Sequence, residues 1–283
     1  MTGARSQAAR LAAASVIAGA LVLATLIPAQ VARISVAQAA VASRSAEASS
    51  PAGSSIPSGS VASSATTVPA EWPLRIKKFL GRPIHSVVTR KRQVALTFDD
   101  GPSSHCESIT ATLARAGVHA TFFFCGRSVR GPGVRYVRDA ALARDDIGNH
   151  TFHHVELRNI SAKVMRSEVE GNQAALKGAT GFAPRFLRPR SGIYRPAALR
   201  LAKVDGLALI LWSVSGGDAG ARPPVATIVR NATRNAKPGS IILLHETNPD
   251  TSKALPAILR ALKRKGLEPV TISRLLADAK SVR

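Results

Sequence analysis

Short apolar runs alternate with longer amphipathic stretches from residue 94 almost to the end of the chain. The amphipathic stretches have apolar residues at helical spacing, and several begin at Ser or Pro and end at Gly, as capped helices do. Strands that alternate with helices of this length predict βαβ units and a parallel sheet, which places the chain in the α/β class. The predicted strands are 94–98, 120–124, 146–149, 185–188, 207–212, 240–244 and 268–271, and the predicted helices are 104–116, 134–144, 161–177, 195–203, 225–236 and 252–265.

Seven parallel strands that close on themselves would form a distorted relative of the (β/α)₈ barrel. In such barrels the functional residues gather where strands end and loops begin. We therefore expect the polar residues that follow the predicted strand ends to converge, however far apart they lie in the sequence. These residues are Asp99, His150, Arg188, Ser213 and His245.

The first 39 residues contain no acidic residue, and Arg5 and Arg10 precede an apolar run over residues 11–27. A sequence of small residues, Ala37-Gln38-Ala39, follows. This order is typical of a secretory signal peptide, and an uncleaved single-span anchor is the alternative. In either case we expect the rest of the chain to be exported, to the periplasm, the cell envelope or the medium.

Residues 40–75 are rich in Ala, Ser and Pro and have few charged or large apolar side chains. Such a segment cannot bury enough surface to offset its conformational entropy, so it is predicted to be a flexible linker. A single globular domain is then expected over residues 76–283.

The formal net charge of the chain is +22, from 39 basic and 17 acidic residues. For an exported protein this excess favours contact with anionic cell-envelope polymers or membrane surfaces, and simple solubility is the alternative. The basic residues are not interleaved with aromatic residues that could stack on bases, so no nucleic-acid partner is expected. Cys106 and Cys125 could form one disulfide in an oxidising compartment, and the sequence leaves their state open.

Two clusters of residues that can carry chemistry stand out. Asp99 and Asp100 lie side by side at a strand end, either as an Asx turn that caps the next helix or as functional carboxylates separated by a cation. Residues 148–154 contain three of the seven histidines, and a solvated loop is the alternative reading. At a spacing of one helical turn, His150 and His154 could bind one metal ion while His153 points elsewhere. Two imidazoles and a carboxylate leave positions open for water and substrate, as in catalytic zinc sites.

These segments resemble a known family. The sequence from Thr97 to Pro102 (Thr-Phe-Asp-Asp-Gly-Pro), followed by His150-Thr-x-x-His154, is similar to the polysaccharide deacetylases of carbohydrate esterase family 4, the NodB-homology domain. Three further motifs follow in the same order, at residues 188–192, 212–219 and 242–245. The resemblance covers about residues 93–277 and implies a distorted (β/α)₇ barrel with one catalytic domain.

The resemblance also implies an activity, the metal-dependent removal of N-acetyl groups from N-acetylglucosamine units of an envelope or extracellular polysaccharide. Peptidoglycan, chitin-like oligomers and poly-N-acetylglucosamine are the substrates that it suggests. A divalent ion, zinc in the first place or another transition metal, would be bound by Asp100, His150 and His154.

The remaining roles are implied in the same way. Asp99 would be the general base and would be held ionised by Arg188, while His245 would protonate the departing amine and would be oriented by Asp218. A backbone N–H near Ser191 would help to hold the developing oxyanion. Substrate contacts are expected from four residues, Ser191, Ile242, Trp212 and Arg190.

The sequence departs from the family pattern around the substrate pocket. Ala219 replaces a tryptophan, Ser215 replaces an aspartate, and Arg190-Ser191 replaces Pro-Tyr. These departures concern the polymer and the acyl group that the site would accept, and they leave the metal-site residues unchanged. Two alternatives remain: a deacylase of another acyl-amide sugar, such as a formamido sugar on a lipid carrier, and a non-catalytic protein that binds envelope polysaccharide.

Overall fold

A curled sheet of mainly parallel strands forms the centre of the domain. The computed structural model describes residues 77–220 and 222–283, so the predicted signal peptide (1–39) and linker (40–75) lie outside the described residues. The described strands are β1 (Pro83–Ile84), β2 (Val87–Val88), β3 (Gln93–Asp99), β4 (Thr121–Phe124), β5 (Asp146–Asn149), β6 (Phe186–Leu187), β7 (Ala208–Ile210), β8 (Val214–Ser215), β9 (Ile241–His245), β10 (Glu268–Val270) and β11 (Ser281–Val282).

Helices connect most of the successive strands of this sheet. They are α1 (His105–Ala116), α2 (Pro132–Leu142), α3 (Ala162–Thr180), α4 (Pro196–Val204), α5 (Val225–Arg234), α6 (Pro249–Arg264) and α7 (Ile272–Ala277), with short 3₁₀ turns at Gly126–Ser128 and Arg190–Gly192. Within the described ranges, no helix has both the length and the apolar character needed to cross a membrane.

The seven predicted strands and the six predicted helices all occur, with bounds that differ by at most three residues. The α/β class and the barrel-like parallel sheet are therefore confirmed. Four short strands (β1, β2, β8 and β11) and the six-residue helix α7 were not predicted, because segments this short show no clear periodicity.

The main sheet has the order β1-β7-β6-β5-β4-β3-β9-β8, and β10 pairs with the first residues of β3. The expectation that the strands close on themselves is wrong in detail, because among the described residues no ladder joins the edge strands β1 and β8. The segment around β1 and β2 spans this opening. Leu211 donates its N–H to the carbonyl of Ile84 at 2.7 Å, and Val87 donates to Gly239 at 2.9 Å.

The two faces of the sheet bury different apolar groups. One cluster packs Leu96, Phe98, Ile242 and Leu244 of the strands with side chains of α1 and α6. A second cluster contains alternate strand residues such as Ile241, together with residues of α7. Because successive side chains of a strand point to opposite faces, this alternation decides which residues of β9 can reach the interior of the barrel.

Register brings the carboxyl ends of the central strands to one edge. Asp99 pairs with His245 of β9 on one side and with Phe123 of β4 on the other. Asn149, the last residue of β5, pairs with Leu187 of β6. The residues at or just after these ends, Asp99, His150, Arg188 and His245, therefore lie at the same end of the sheet.

Candidate metal centre

Three side chains with metal-binding atoms meet at this edge. The Oδ1 atom of Asp100 lies 3.4 Å from Nε2 of His150 and 3.0 Å from Nε2 of His154. The ligand atoms of the three residues all lie within 4.8 Å of one another, and no other such group of three occurs among the described residues. Two imidazole nitrogens and one carboxylate oxygen suit a zinc-type divalent ion, so the predicted ligand set fits the group it was expected to hold.

The two histidines do not lie on a helix, which corrects the helical-turn interpretation of their spacing. Residues 150–154 form a loop in which Thr151 and His154 have positive φ angles of 65° and 61°. The loop is fastened by Asn172 of α3, whose side chain donates to the carbonyls of Phe124 and Thr151 at 2.8 and 3.0 Å. Tertiary hydrogen bonds therefore bring the ligands together, rather than helical periodicity.

The orientation of His150 is set by its second nitrogen. Nδ1 of His150 lies 2.7 Å from the carbonyl oxygen of Arg188, which can only accept, so Nδ1 carries the proton and Nε2 is free to bind a metal. His153 points elsewhere, as its position predicts: its side chain is largely exposed, and its Nδ1 lies 2.7 Å from Oε1 of Glu168.

Asp100 remains ionised in this environment. Burial opposes its charged form, but the interactions with the neighbouring His150 and His154 outweigh burial and hold the pKa of Asp100 well below its usual range. A charged carboxylate beside two imidazoles is the state that a metal ligand requires.

Asp99 is buried and paired with a buried arginine. One guanidinium nitrogen of Arg188 donates to Oδ1 of Asp99 at 2.6 Å and to the hydroxyl of Thr97 at 2.9 Å. The other two nitrogens donate to the carbonyls of Ile210 and Leu211 at 3.2 and 3.1 Å. The other carboxylate oxygen of Asp99 lies 3.6 Å from Nε2 of His150, so Asp99 faces the metal ligands.

Arg188 is fully buried, which is rare for an arginine. Burial lowers its pKa and the charge of Asp99 opposes that shift, so the ion pair offsets part of the desolvation cost. Its guanidinium carbon lies 4.0 Å from the centre of the Phe123 ring and 5.8 Å from that of Trp212, which adds cation–π contacts.

His245 has a carboxylate partner of its own. Nδ1 of His245 lies 2.9 Å from Oδ1 of Asp218, and the backbone N–H of His245 donates to the other oxygen at 2.8 Å. Burial by itself would lower the pKa of His245, but the hydrogen bond with Asp218 and the negative charge of Asp99 raise it above its usual value. Nε2 of His245 is left for a ligand.

Three of the four predicted substrate contacts, Arg190, Ser191 and Trp212, lie close to Arg188 in the chain or in space. The fourth, Ile242, does not face the site. Trp212 lies beside the turn that contains Arg190 and Ser191, since a Cβ on Gly192 would come within 3.0 Å of its ring. In this turn the N–H groups of Gly192 and Ile193 donate to the carbonyls of Pro189 and Arg190, both at 3.0 Å.

The prediction that Ile242 contacts substrate is wrong, because its side chain has no exposed surface and lies in the core between sheet and helices. The inward residue two positions before His245 is Leu243. Strand alternation is the signal that could have identified it.

Ser213 also does not join the site. Its backbone N–H donates to the carbonyl of Ile241 at 3.1 Å, and its hydroxyl accepts from the N–H of Ile241. Ile241 begins β9, whereas the site lies at the other end of that strand. Strand β7 ends at Ile210, earlier than predicted, so Ser213 no longer follows a carboxyl end.

Several supporting residues were not predicted. Thr97 bridges Arg188 to the carbonyl of Ile242, and Thr251 donates its hydroxyl to Asp218 at 2.5 Å. Thr97 lies two residues before Asp99 on the same face of β3, a signal that the sequence contains. Thr251 belongs to a helix 33 positions away from Asp218, and no local pattern indicates that contact.

The two cysteines are free and buried. Sγ of Cys106 lies 3.9 Å from the carbonyl of Tyr136, and Sγ of Cys125 lies 4.0 Å from that of His150. Burial raises the pKa of both thiols, which keeps them protonated and unreactive.

Known proteins share this arrangement of fold and sequence. The family described as polysaccharide deacetylase matches residues 86–210. A peptidoglycan-N-acetylglucosamine deacetylase of Bacillus cereus is 34% identical over 197 residues, which are 67% of this chain and 91% of that protein. The chain belongs to the polysaccharide deacetylase family.

Solved structures agree with this membership in the polysaccharide deacetylase family. The Bc1960 peptidoglycan N-acetylglucosamine deacetylase, solved with a bound benzamide compound, superposes with a TM-score of 0.66 at 30% identity and covers 75% of this chain and 100% of that one. A family 4 pseudoenzyme from Bacillus anthracis superposes with a TM-score of 0.65 at 27% identity and covers 69% of each chain.

Some deacetylases of the family are much longer. The chain spans only 40% of the length of the Listeria monocytogenes peptidoglycan-N-acetylglucosamine deacetylase PgdA, with 34% identity over 192 residues.

Proposed function

We propose that the protein is a metal-dependent hydrolase that removes N-acetyl groups from N-acetylglucosamine-containing polysaccharide. The observation that carries the proposal is the pairing across β3 and β9. A buried carboxylate with an arginine behind it, Asp99, stands in register with a histidine that has a carboxylate behind it, His245. Both lie beside three metal-type ligands. The names of the similar deacetylases support the same chemistry.

In this mechanism Asp100, His150 and His154 hold the divalent ion, for which we propose zinc. The bound ion supplies polarisation of the acetamide carbonyl of the substrate. Asp99 accepts the proton of the attacking water, and Arg188 keeps Asp99 charged and aimed. For the N–H of Ser191 we propose a hydrogen bond to the developing oxyanion.

Collapse of the tetrahedral intermediate requires a proton on the leaving nitrogen. His245 donates this proton from Nε2, because its Nδ1 is committed to Asp218. The raised pKa of His245 favours its protonated form, the form that a general acid requires. Base and acid therefore act on the amide from the neighbouring strands β3 and β9.

The polymer is proposed to be peptidoglycan or another N-acetylglucosamine polymer of the envelope or the extracellular space. Similar proteins are named for peptidoglycan and for chitooligosaccharides. In this chain Ala219, where relatives have an aromatic residue, is exposed beyond Asp218. The acyl pocket therefore depends on Trp212 and Leu243 for apolar contact. A wider pocket would also accept another acyl group, such as formyl.

The test is release of acetate by the purified protein from peptidoglycan, N-acetylglucosamine oligomers and an acidic exopolysaccharide. Activity should require a divalent metal, disappear with a chelator and return with zinc. Asp99→Asn should lower the rate by about 10²–10⁴-fold, the usual contribution of a general base. Asp139→Asn, at an exposed carboxylate of α2, is the matched control and should leave the rate unchanged.

Full activity in Asp99→Asn would refute the assignment of the base. Binding of polysaccharide without acetate release from any of the polymers would instead favour a non-catalytic role. The related pseudoenzyme structure makes that a real alternative.

We further propose that the protein is exported and touches an anionic envelope polymer. Five of the six helices between strands of the main sheet have basic residues in their last turns, among them Arg115, Lys177, Lys203, Arg234 and Lys263. In a βαβ fold the helices run against the strands, so these cations gather at the amino ends of the strands, away from the site. Charge on that face would hold the protein on the polymer while leaving the site accessible.

The corresponding test is co-sedimentation with isolated cell walls before and after their anionic polymers are stripped. Binding should fall with salt and with stripping. The charge-removing variant Arg115→Gln, Lys263→Gln should bind less than the control Arg158→Gln, which changes an exposed arginine of the loop before α3. Binding that ignores both salt and stripping would reject the proposal.

A further inference from the structure

Glu246 is a fully buried carboxylate that directly follows His245. Its two oxygens accept from the backbone N–H of Ser103 at 3.2 and 3.0 Å, and one also accepts from the Ser103 hydroxyl at 2.7 Å. The backbone N–H of Cys106, in the first turn of α1, is a further donor. Within the described ranges, no cationic side chain forms an ion pair with it.

The segment that Glu246 touches is the turn carrying Asp100. Asp100 has φ of 78°, a conformation that is strained for a residue with a side chain. The next residue is Gly101, where a Cβ would lie 1.7 Å from Oε2 of Glu246. The backbone N–H of Glu246 donates to the carbonyl of Asp99 at 2.9 Å. Glu246 is therefore bonded on both sides of Asp100.

A buried carboxylate without a cation is costly to keep. Burial raises the pKa of Glu246 to about 7, although the hydrogen bonds from Ser103 and Cys106 oppose that shift. Packing alone would be served better by an apolar side chain. The donors explain the carboxylate: it accepts from the N–H groups of Ser103 and Cys106 at the start of α1, where the N-cap Ser104 makes no side-chain hydrogen bond.

We propose that Glu246 is a positioning residue that holds the strained Asp100 turn against β9. Because Glu246 is covalently next to His245, it also keeps the metal-ligand carboxylate at a constant position relative to the proton donor. This inference rests on the proposed metal centre. It gives Glu246 a role in placing the metal ligand Asp100, in addition to accepting from the N–H groups at the start of α1.

Glu246→Gln tests the proposal on the purified full-length protein. The variant keeps the side-chain volume but offers one acceptor oxygen in place of two and turns an N–H₂ group toward donors. We expect affinity for Zn²⁺, measured by competition with a chromogenic chelator, to fall by about 10–100-fold, as for residues that orient metal ligands. Ser103→Ala removes only the hydroxyl donor and should weaken binding less, in the same direction.

Asp145→Asn is the matched control. Asp145 is also buried, accepts from the backbone N–H of Ala120 at 2.8 Å and has a pKa raised to about 7 by burial, but it precedes β5 at the opposite end of the sheet. It should lower the melting temperature without changing Zn²⁺ affinity. If Glu246→Gln or Ser103→Ala lowers only the melting temperature and binds Zn²⁺ like wild type, the proposal is wrong. If wild type itself binds no Zn²⁺, the proposed metal centre fails instead.

Discussion

Each of the two residues proposed to transfer protons has a partner of opposite charge behind it. Arg188 lies behind Asp99 and Asp218 lies behind His245, while the free sides of Asp99 and His245 face the same region. A cation favours the deprotonated carboxylate and a carboxylate favours the protonated imidazole. The partners therefore favour the forms that the proposed mechanism needs at one pH, a deprotonated Asp99 and a protonated His245.

The role of Asp218 predicts a shift in pH dependence. His245 must be protonated to act, so activity should fall as the pH rises through its pKa, which Asp218 raises. In Asp218→Asn the pKa of His245 should drop, and the alkaline limb of the kcat profile should move to lower pH. A series of kcat measurements from acidic to alkaline pH checks this.

Asp250→Asn provides the control for that profile. Asp250 pairs with Lys253 in the same region of the chain but does not contact His245. Its alkaline limb should coincide with that of wild type, and equal limbs in all three proteins would contradict the proposed coupling.

Removing the charge of Arg188 should destabilise the fold. Arg188→Met would leave Asp99 buried without its cation and would orphan the carbonyls of Ile210 and Leu211. Breaking a buried pair in this way costs about 3–5 kcal/mol of unfolding free energy. Urea unfolding at neutral pH measures the loss, and an unchanged midpoint would show that the pair is not needed for stability.

Within the single strand β9, side chains alternate between the two faces of the sheet. One face packs in the core, and the other carries His245 and faces the proposed substrate site. Ile242→Ala should cost about 2–5 kcal/mol because it opens a cavity in the core between sheet and helices, while the folded fraction keeps its kcat and KM. Leu243→Ala should instead raise KM, because Leu243 is on the face that carries His245. Unfolding curves and kinetics on the two variants distinguish these outcomes, and the reverse pattern would invalidate the orientation of β9.

For the molecule as a whole, a bound metal should stabilise the folded state. The three ligands come from two separate loops, so only the folded chain presents them together. A ligand at 100 times its Kd adds about 2.7 kcal/mol of stability. A chelator should therefore lower the Tm of wild type in calorimetry. His154→Asn should already have the lower Tm and should not respond, and a chelator response as large as that of wild type would exclude His154 as a ligand.

The half-open form of the sheet is also a whole-molecule property. The chain segment around β1 and β2 lies across the opening through bonds from Leu211 to Ile84 and from Val87 to Gly239. Because β1 and β2 are two residues long, their contribution comes from placement between distant strands rather than from intrinsic propensity.

The sequence by itself determined the α/β class, the seven main strands and the motifs that carry Asp99, Asp100, His150 and His154. These features depend on local periodicity and on residue types at short spacing, which remain readable before the chain folds. Only the tertiary structure decided which neighbours those residues have. It placed Ile242 in the core and Ser213 at the wrong end of β9, and it set Glu246 beneath the Asp100 turn, because register and side-chain direction arise from packing between segments that lie far apart in the chain.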